Sequence, residues 1–312
     1  MTPTSRRIHF GVQLRDAPTG RAWVELVRRM ESLGYDAISM PDHLWTQFAP
    51  IPALAAAAVS TETARITMAV LANDFRNPVM LAKEAATLDV LSEGRLDLGL
   101  GAGWREEEYR HAGLTFDRPG VRIARLAESV TILKQLFEGG PVTFHGEFYD
   151  VDGYELTPRP VQRPRPRLVL GGGGPKMLAL AAREADVVSI TTDNRNRTAV
   201  NQNSGGRLDL VRQSVDVVVE AAGGRFPELE LNVRVLLVDV GDDQARTAAK
   251  HAASFGLPPD ELAQSPFCAV GTTDQVADHF CRLRDDLGVS FFTVSAAVAE
   301  QLAPVVARIT GT

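Results

Sequence analysis

Four glycines in a row, Gly171 to Gly174, separate the apolar run Leu168-Val169-Leu170 from Pro175-Lys176, where a helix is expected to begin. Free N–H groups at a helix start take a phosphate, the missing Cβ atoms let an anion touch the backbone, and Lys176 adds positive charge. The competing role is a flexible strand-to-helix turn. Four consecutive glycines cost more conformational entropy than a turn requires, which favours binding. A second cluster, Gly99, Gly101 and Gly103, leads into Trp104, Arg105 and a run of glutamates. Glycine at alternate positions of a strand end lets a flat ring lie against the backbone beside Trp104 or Arg105, or else lets a helix pack closely.

Asp42-His43 follows the short run Ala37 to Met40. An imidazole there exchanges a proton near neutrality or hydrogen-bonds a ring carbonyl; the alternatives are a capping or core role. Asn73 stands past a third apolar run, within reach of a ring edge, whereas Asn77 ahead of Pro78 reads as a helix N-cap. The other histidines, His9, His111, His145, His251 and His279, lack ligand spacing, so no metal site is expected. No Gly-x-Ser-x-Gly elbow is present, and Cys268 and Cys281 lack a placed histidine, which leaves covalent hydrolysis without support.

The elements that must position these residues alternate in type. Strands are expected at Ile8 to Gln13, Ala37 to Met40, Ile66 to Leu71, Leu96 to Leu100, Leu168 to Leu170, Val187 to Thr191, Asn232 to Val238 and Phe291 to Ser295. Helical patterns lie between them, such as Trp23, Leu26, Val27, Met30 and Leu33, or Ile123, Leu126, Ala127, Val130, Leu133 and Phe137. The rhythm breaks once, at a hairpin from Val142 to Val151 and a proline-rich approach to the fifth strand. The polar stretch Asp193 to Gly206 reads as an exposed loop. Eight strand-helix alternations predict an α/β fold, a (β/α)8 TIM barrel, whose C-terminal rim collects cofactor and chemistry. A Rossmann fold would need a Gly-x-Gly-x-x-Gly after the first strand, and Leu14-Arg15-Asp16-Ala17-Pro18 does not supply it.

Composition narrows the classes. With 312 residues, 45% hydrophobic and 23% charged, the chain can bury a large core. A formal charge of -6 argues against a nucleic-acid face, two cysteines are too few for a disulfide framework, and no apolar segment reaches membrane-spanning length. A cytoplasmic enzyme with a small-molecule substrate is expected.

Several blocks together resemble the bacterial-luciferase-like oxidoreductases, specifically the actinobacterial branch that uses the deazaflavin F420. They are Asp36 to His43, Arg76-Asn77-Pro78 with Lys83 to Asp89, Ser92 to Trp104, and the proline-rich lead into Leu170-Gly171-Gly172-Gly173. The resemblance implies one luciferase-like barrel domain with insertions over residues 1–312, and hydride transfer at C5 of the deazaflavin. It places the family's histidine at His43, beside Asp42, and a non-proline cis peptide behind the ring near Val70 and Leu71. It also places the phosphate-binding glycines at Gly172, Gly173 and Gly174 and the strand-four turn at Gly101 to Arg105, which holds Gly103 and Trp104; Asn73, Gly171 and Lys176 join the expected cofactor contacts on the reading of the residues above. Trp104-Arg105-Glu106-Glu107-Glu108 stands in place of the shorter glycine-rich turn, with its glutamate, of the F420-dependent alcohol and sugar-phosphate dehydrogenases, a departure from their acid-base pattern that speaks against a sugar phosphate as substrate. FMN shares the ring size and ribityl phosphate of F420, so an FMN-dependent monooxygenase is the alternative, and a non-catalytic flavin- or deazaflavin-binding barrel a further one. With its hairpin at Val142 to Val151 and alanine-rich helices near Pro52 and Pro78, the chain resembles family members that pair through such helices, and the resemblance implies a homodimer.

Overall fold

The computed structural model describes residues 6–191 and 206–310. Eight strands form the central sheet: β1 His9–Gln13, β2 Ala37–Met40, β3 Arg65–Met68, β4 Leu96–Gly101, β5 Arg167–Gly172, β6 Val187–Ile190, β7 Glu230–Arg234 and β8 Val289–Ser295. Their hydrogen-bonded order is β3-β2-β1-β8-β7-β6-β5-β4, and β3 also pairs with β4, so the ladder closes as the expected (β/α)8 barrel. Covered on both faces, the strands are apolar almost throughout: β2 and β4 are buried at every position. Leu100 of β4 stands opposite Leu170 of β5 in parallel register, so Gly101 and Gly171, next in the chain, lie at the same end of two neighbouring strands.

Residue contacts divide the chain into two compact units. The first comprises Leu14–Arg28 and Ile38–Leu170. Its proline-rich segment is pinned by Asp89, fully buried, whose carboxylate accepts from the backbone N–H of Val161 (2.7 Å) and Gln162 (2.9 Å) and from Gln162 Nε2 (2.6 Å). The expected hairpin is present as Pro141–His145 against Asp150–Glu155, and Glu128 caps its turn by accepting from the N–H groups of Glu147, Phe148 and Tyr149. The second unit holds Met1–Gln13, Arg29–Ala37 and Gly171–Thr312. Phe10, Phe280 and Phe292, all fully buried, stack at its centre with ring centroids 4.5 to 5.9 Å apart. Each such ring contributes about 1.5–3 kcal/mol of burial.

Three expectations are corrected. The third strand does not run unbroken from Ile66 to Leu71: it stops at Met68, the Ala69-Val70 peptide is cis, and Leu71–Ala72 pairs with β4 as a separate fragment. The seventh does not continue to Val238. Val235 still donates to Thr293 O, but Leu236 and Leu237 turn their N–H groups to Phe267 O, and Leu237–Val240 forms a two-stranded sheet with Cys268–Gly271. The second strand of that sheet, Cys268–Gly271, and the helix Thr273–Leu287, capped by a Thr272–Gln275 box, occupy a stretch in which no element was expected. The polar stretch Asp193 to Gly206 lies outside the described residues except for Gly206, which is buried rather than exposed.

Candidate active site

β2 ends at Met40 and delivers Asp42 and His43 into the loop that follows. Asp42 is 7% exposed and fully engaged: Oδ2 accepts from Ala72 N (3.1 Å) and Arg76 Nη1 (2.5 Å), and Oδ1 accepts from Arg76 Nη2 (3.2 Å). It therefore ties the loop after β2 to the turn after β3. Such a two-pronged carboxylate–guanidinium pair is strong only when buried and hydrogen-bonded, as here.

His43 Nδ1 lies 3.0 and 3.2 Å from the two oxygens of Glu108, one of which also accepts from Leu44 N (3.2 Å). A carboxylate accepts only, so Nδ1 carries the hydrogen and Nε2 the lone pair. Trp45 lies against the imidazole with centroids 4.0 Å apart, Trp104 meets it edge-on at 5.9 Å, and Arg105 covers Trp45 at 4.0 Å. Burial pushes the His43 pKa below its ordinary 6.5, with the Glu108 hydrogen bond and charge pulling the other way. The ring is neutral at pH 7, able to accept a proton at Nε2. A cavity of about 480 Å³ opens on this side, lined by Asp42, His43, Trp45, Gln47, Phe75 and Arg76 among others.

Glu108 belongs to a helix, Glu106–Ala112, that begins directly after Arg105. On it Glu106 and Glu107 are exposed while Glu108 and Tyr109 are buried. Tyr109 donates to Asp74 Oδ2 (3.1 Å), which also binds Arg125 (3.0 Å). Burial and Asp74 raise the Tyr109 pKa well above 10, so the phenol stays protonated.

Of the ring contacts expected from sequence, Asn73 is 2% exposed; its Nδ2 donates to Tyr149 Oη (3.1 Å), while its Oδ1 is buried without a partner. Val70 follows the cis peptide and is half-buried; Leu71 is fully buried. Gly101 is buried and pairs with Ala72. The alternate glycines have a packing duty: a Cβ on Gly99 would overlap the Met68 carbonyl, and one on Gly103 the Tyr109 hydroxyl. Trp104 is 50% exposed.

In the other unit, Gly171 and Gly172 end β5, and Gly174 is the N-cap of the helix Pro175–Glu184. No side chain caps this helix, a Cβ at Gly174 would meet nothing within 4 Å, and Lys176 is exposed in the first turn. Gly172 is required by packing, since a Cβ there would overlap Met177. Within this unit an uncapped helix start with open space before it suits a phosphate; within the other, the buried acceptor Asn73 Oδ1 suits a ring N–H. Glu108, Trp45 and Arg76, which sequence reading did not single out as site residues, complete the surroundings of His43. The signal that could have found Glu108 is helical spacing, which buries Glu108 and Tyr109 and puts Ala112, four residues after Glu108, on the cavity wall.

A family profile described as luciferase-like monooxygenase matches residues 5–211. The chain is 31% identical over 273 residues to an F420-dependent glucose-6-phosphate dehydrogenase of Nakamurella multipartita, covering 84% of this chain and 77% of that protein. It is 31% identical over 189 residues to an FMNH(2)-dependent dimethylsulfone monooxygenase of Pseudomonas putida, covering 60% and 48%. The coenzyme F420-dependent tetrahydromethanopterin reductase of Methanopyrus kandleri superposes with a TM-score of 0.76 at 19% identity, over 98% of this chain and 99% of that one, a likeness of fold.

Proposed function

Because the chain belongs to the luciferase-like monooxygenase family, we propose that it is an oxidoreductase moving a hydride between F420 and a small organic substrate, with His43 as the proton-exchanging group. The observation that carries this reading is the imidazole on the cavity wall, held through Nδ1 by Glu108 and kept neutral by burial, which leaves Nε2 as the proton acceptor. When bound, the deazaflavin supplies a two-electron hydride acceptor and donor at C5. His43 takes the hydroxyl proton at Nε2 as an alcohol carbon is oxidised to a carbonyl, and returns it in reverse. Glu108 fixes the tautomer and stabilises the imidazolium that forms. In the unit that carries His43, Asn73 Oδ1 would accept from a ring N–H and Val70 would lie behind the ring; in the other unit, taken by itself, the backbone at Gly173 and Gly174 with Lys176 is suited to a phosphate.

The similarity to an FMNH(2)-dependent monooxygenase supports FMN as a second reading. Titration of the apo protein with each cofactor decides between them: F420 is expected to bind at least tenfold more tightly, about 1.4 kcal/mol. Equal affinity would overturn F420 as the cofactor. Binding without any absorbance change on addition of candidate alcohols or ketones would support a non-catalytic barrel.

No helix among the described residues is long and apolar enough to cross a membrane, and we infer a cytoplasmic homodimer. The helix Pro50–Ala58 is apolar at every position and Val59 at its C-cap is 65% exposed, while Met80, on the helix Pro78–Leu91 that also exposes Lys83, Glu84 and Thr87, is 61% exposed. A helix apolar all round is normally covered. Sedimentation showing only monomer at micromolar concentration would contradict the dimer.

A further inference from the structure

The His43 cavity shares three wall residues, Phe75, Arg76 and Leu114, with a second cavity of about 470 Å³ that continues to Asp117, Phe148 and Tyr149. Both belong to the same compact unit. Each guanidinium on these walls is already matched. Arg76 is held by Asp42 at 2.5 and 3.2 Å; Arg125 is held by Asp74 at 3.0 Å and by Asp117 at 2.5 Å. With His43 neutral, the carboxylates Asp42, Asp74 and Asp117 outnumber Arg76 and Arg125 by one.

An anion entering either cavity would have to break one of these partly buried pairs or lie beside the one carboxylate charge left over where Asp74 and Asp117 share Arg125, and both outcomes are unfavourable. The apolar part of the second cavity is aromatic, with Phe75 and Tyr149 on its walls and Phe148 lying 5.1 Å below the Arg125 guanidinium. Flat apolar groups pack well between such rings.

We propose that the two cavities form one two-chambered substrate site that selects an uncharged molecule, its oxygen-bearing head beside His43 and an apolar, planar tail beyond Phe75 and Leu114. This rests on the oxidoreductase reading above and departs from the glucose-6-phosphate dehydrogenase to which the chain is 31% identical. A phosphate ester carries the charge these walls reject.

Calorimetric titration of the cofactor-loaded protein with 4-phenyl-2-butanone, 2-butanone and glucose 6-phosphate tests it. The aryl ketone is expected to bind at least tenfold more tightly than 2-butanone, and glucose 6-phosphate more weakly than either. Leu114 is 39% exposed, so Leu114→Trp can be accommodated while narrowing the passage, and it should reduce the preference for the aryl ketone at least tenfold. Phe148→Ala, which removes an aromatic wall of the far chamber, should erode the same preference and serves if the first variant does not fold. Glucose 6-phosphate binding as tightly as the aryl ketone, no measurable binding of either ketone, or a preference that survives in a folded variant would each overturn the proposal. Cofactor affinity is measured separately. If neither F420 nor FMN binds, the oxidoreductase reading fails while the order of the three probes, titrated against the bare protein, still decides this one.

Discussion

Gly103 is a glycine because of Tyr109: at φ +73° its missing side chain points at the Tyr109 hydroxyl, and a Cβ would overlap that oxygen. The hydroxyl donates to Asp74, and the next residue back along the same helix, Glu108, holds His43. A turn residue, a buried phenol and a carboxylate thus set the orientation of an imidazole that none of the first two touches.

Gly103→Ala should therefore destabilise the protein by about 1–3 kcal/mol, from left-handed backbone strain and displacement of Tyr109. The measurement is a denaturant midpoint, repeated in Tyr109→Phe. Removing the hydroxyl relieves the closest overlap, so the double variant should lose less than the sum of the singles. Strict additivity would mean that the two residues do not compete for the same space.

His43→Ala should lower turnover about 10²-fold or more while cofactor affinity changes only a few-fold. Loss of cofactor binding with unchanged turnover at saturation would instead make His43 a ring anchor. In alcohol oxidation the base must be neutral, and burial sets its pKa below 6.5, so turnover should hold from pH 7 down past 6.5 and fall only at more acidic pH. The Glu108 carboxylate favours the imidazolium. Glu108→Gln should therefore move that acidic limb to still lower pH, along with a loss in kcat; a limb moving upward would contradict the Glu108 assignment.

The barrel was legible because its strands are short apolar runs punctuated by glycine or charge, and His43 was legible because it sits just past one of them. Glu108 was not, since it lies 65 residues away in a run of three glutamates of which only one faces inward. Asn232 to Val238 contains no glycine or proline to mark the point where the chain leaves β8, so a tertiary choice between Thr293 and Phe267 as hydrogen-bond partners decided it. At Gly103 the close-packing alternative is the one the neighbours bear out, since Tyr109 of the helix Glu106–Ala112 requires the absence of a Cβ, and at Gly99 the neighbour that requires it is the Met68 carbonyl of a strand rather than a helix.

Gly174→Ala separates binding from folding more cleanly than any change at Gly172, where Met177 fills the space. A Cβ at Gly174 meets nothing within 4 Å and its φ of −88° suits any residue, so the thermal midpoint should not move. Cofactor affinity should fall at least tenfold if a phosphate lies against this backbone. An unchanged affinity would leave the glycine run as a turn.

His279 gives the chain an acid-sensitive core. Its ring is 4% exposed, Nε2 donates to Ser265 O at 3.1 Å, and burial lowers its pKa to about 4. In the unfolded chain the same ring titrates near 6.5, so above that pH neither state carries the proton and stability is unaffected. Between about 6.5 and 4 the unfolded chain binds a proton that the folded one refuses, and stability declines by up to about 1.4 kcal/mol per pH unit, roughly 3 kcal/mol in all. Below about 4 the contribution levels off. His279→Gln keeps a donor for Ser265 O and removes the titration. Its urea midpoint should therefore vary less between pH 6.5 and 4 than that of the parent. Identical pH dependence in the two proteins would assign the acid sensitivity to carboxylate pairs such as Arg65–Asp97 instead.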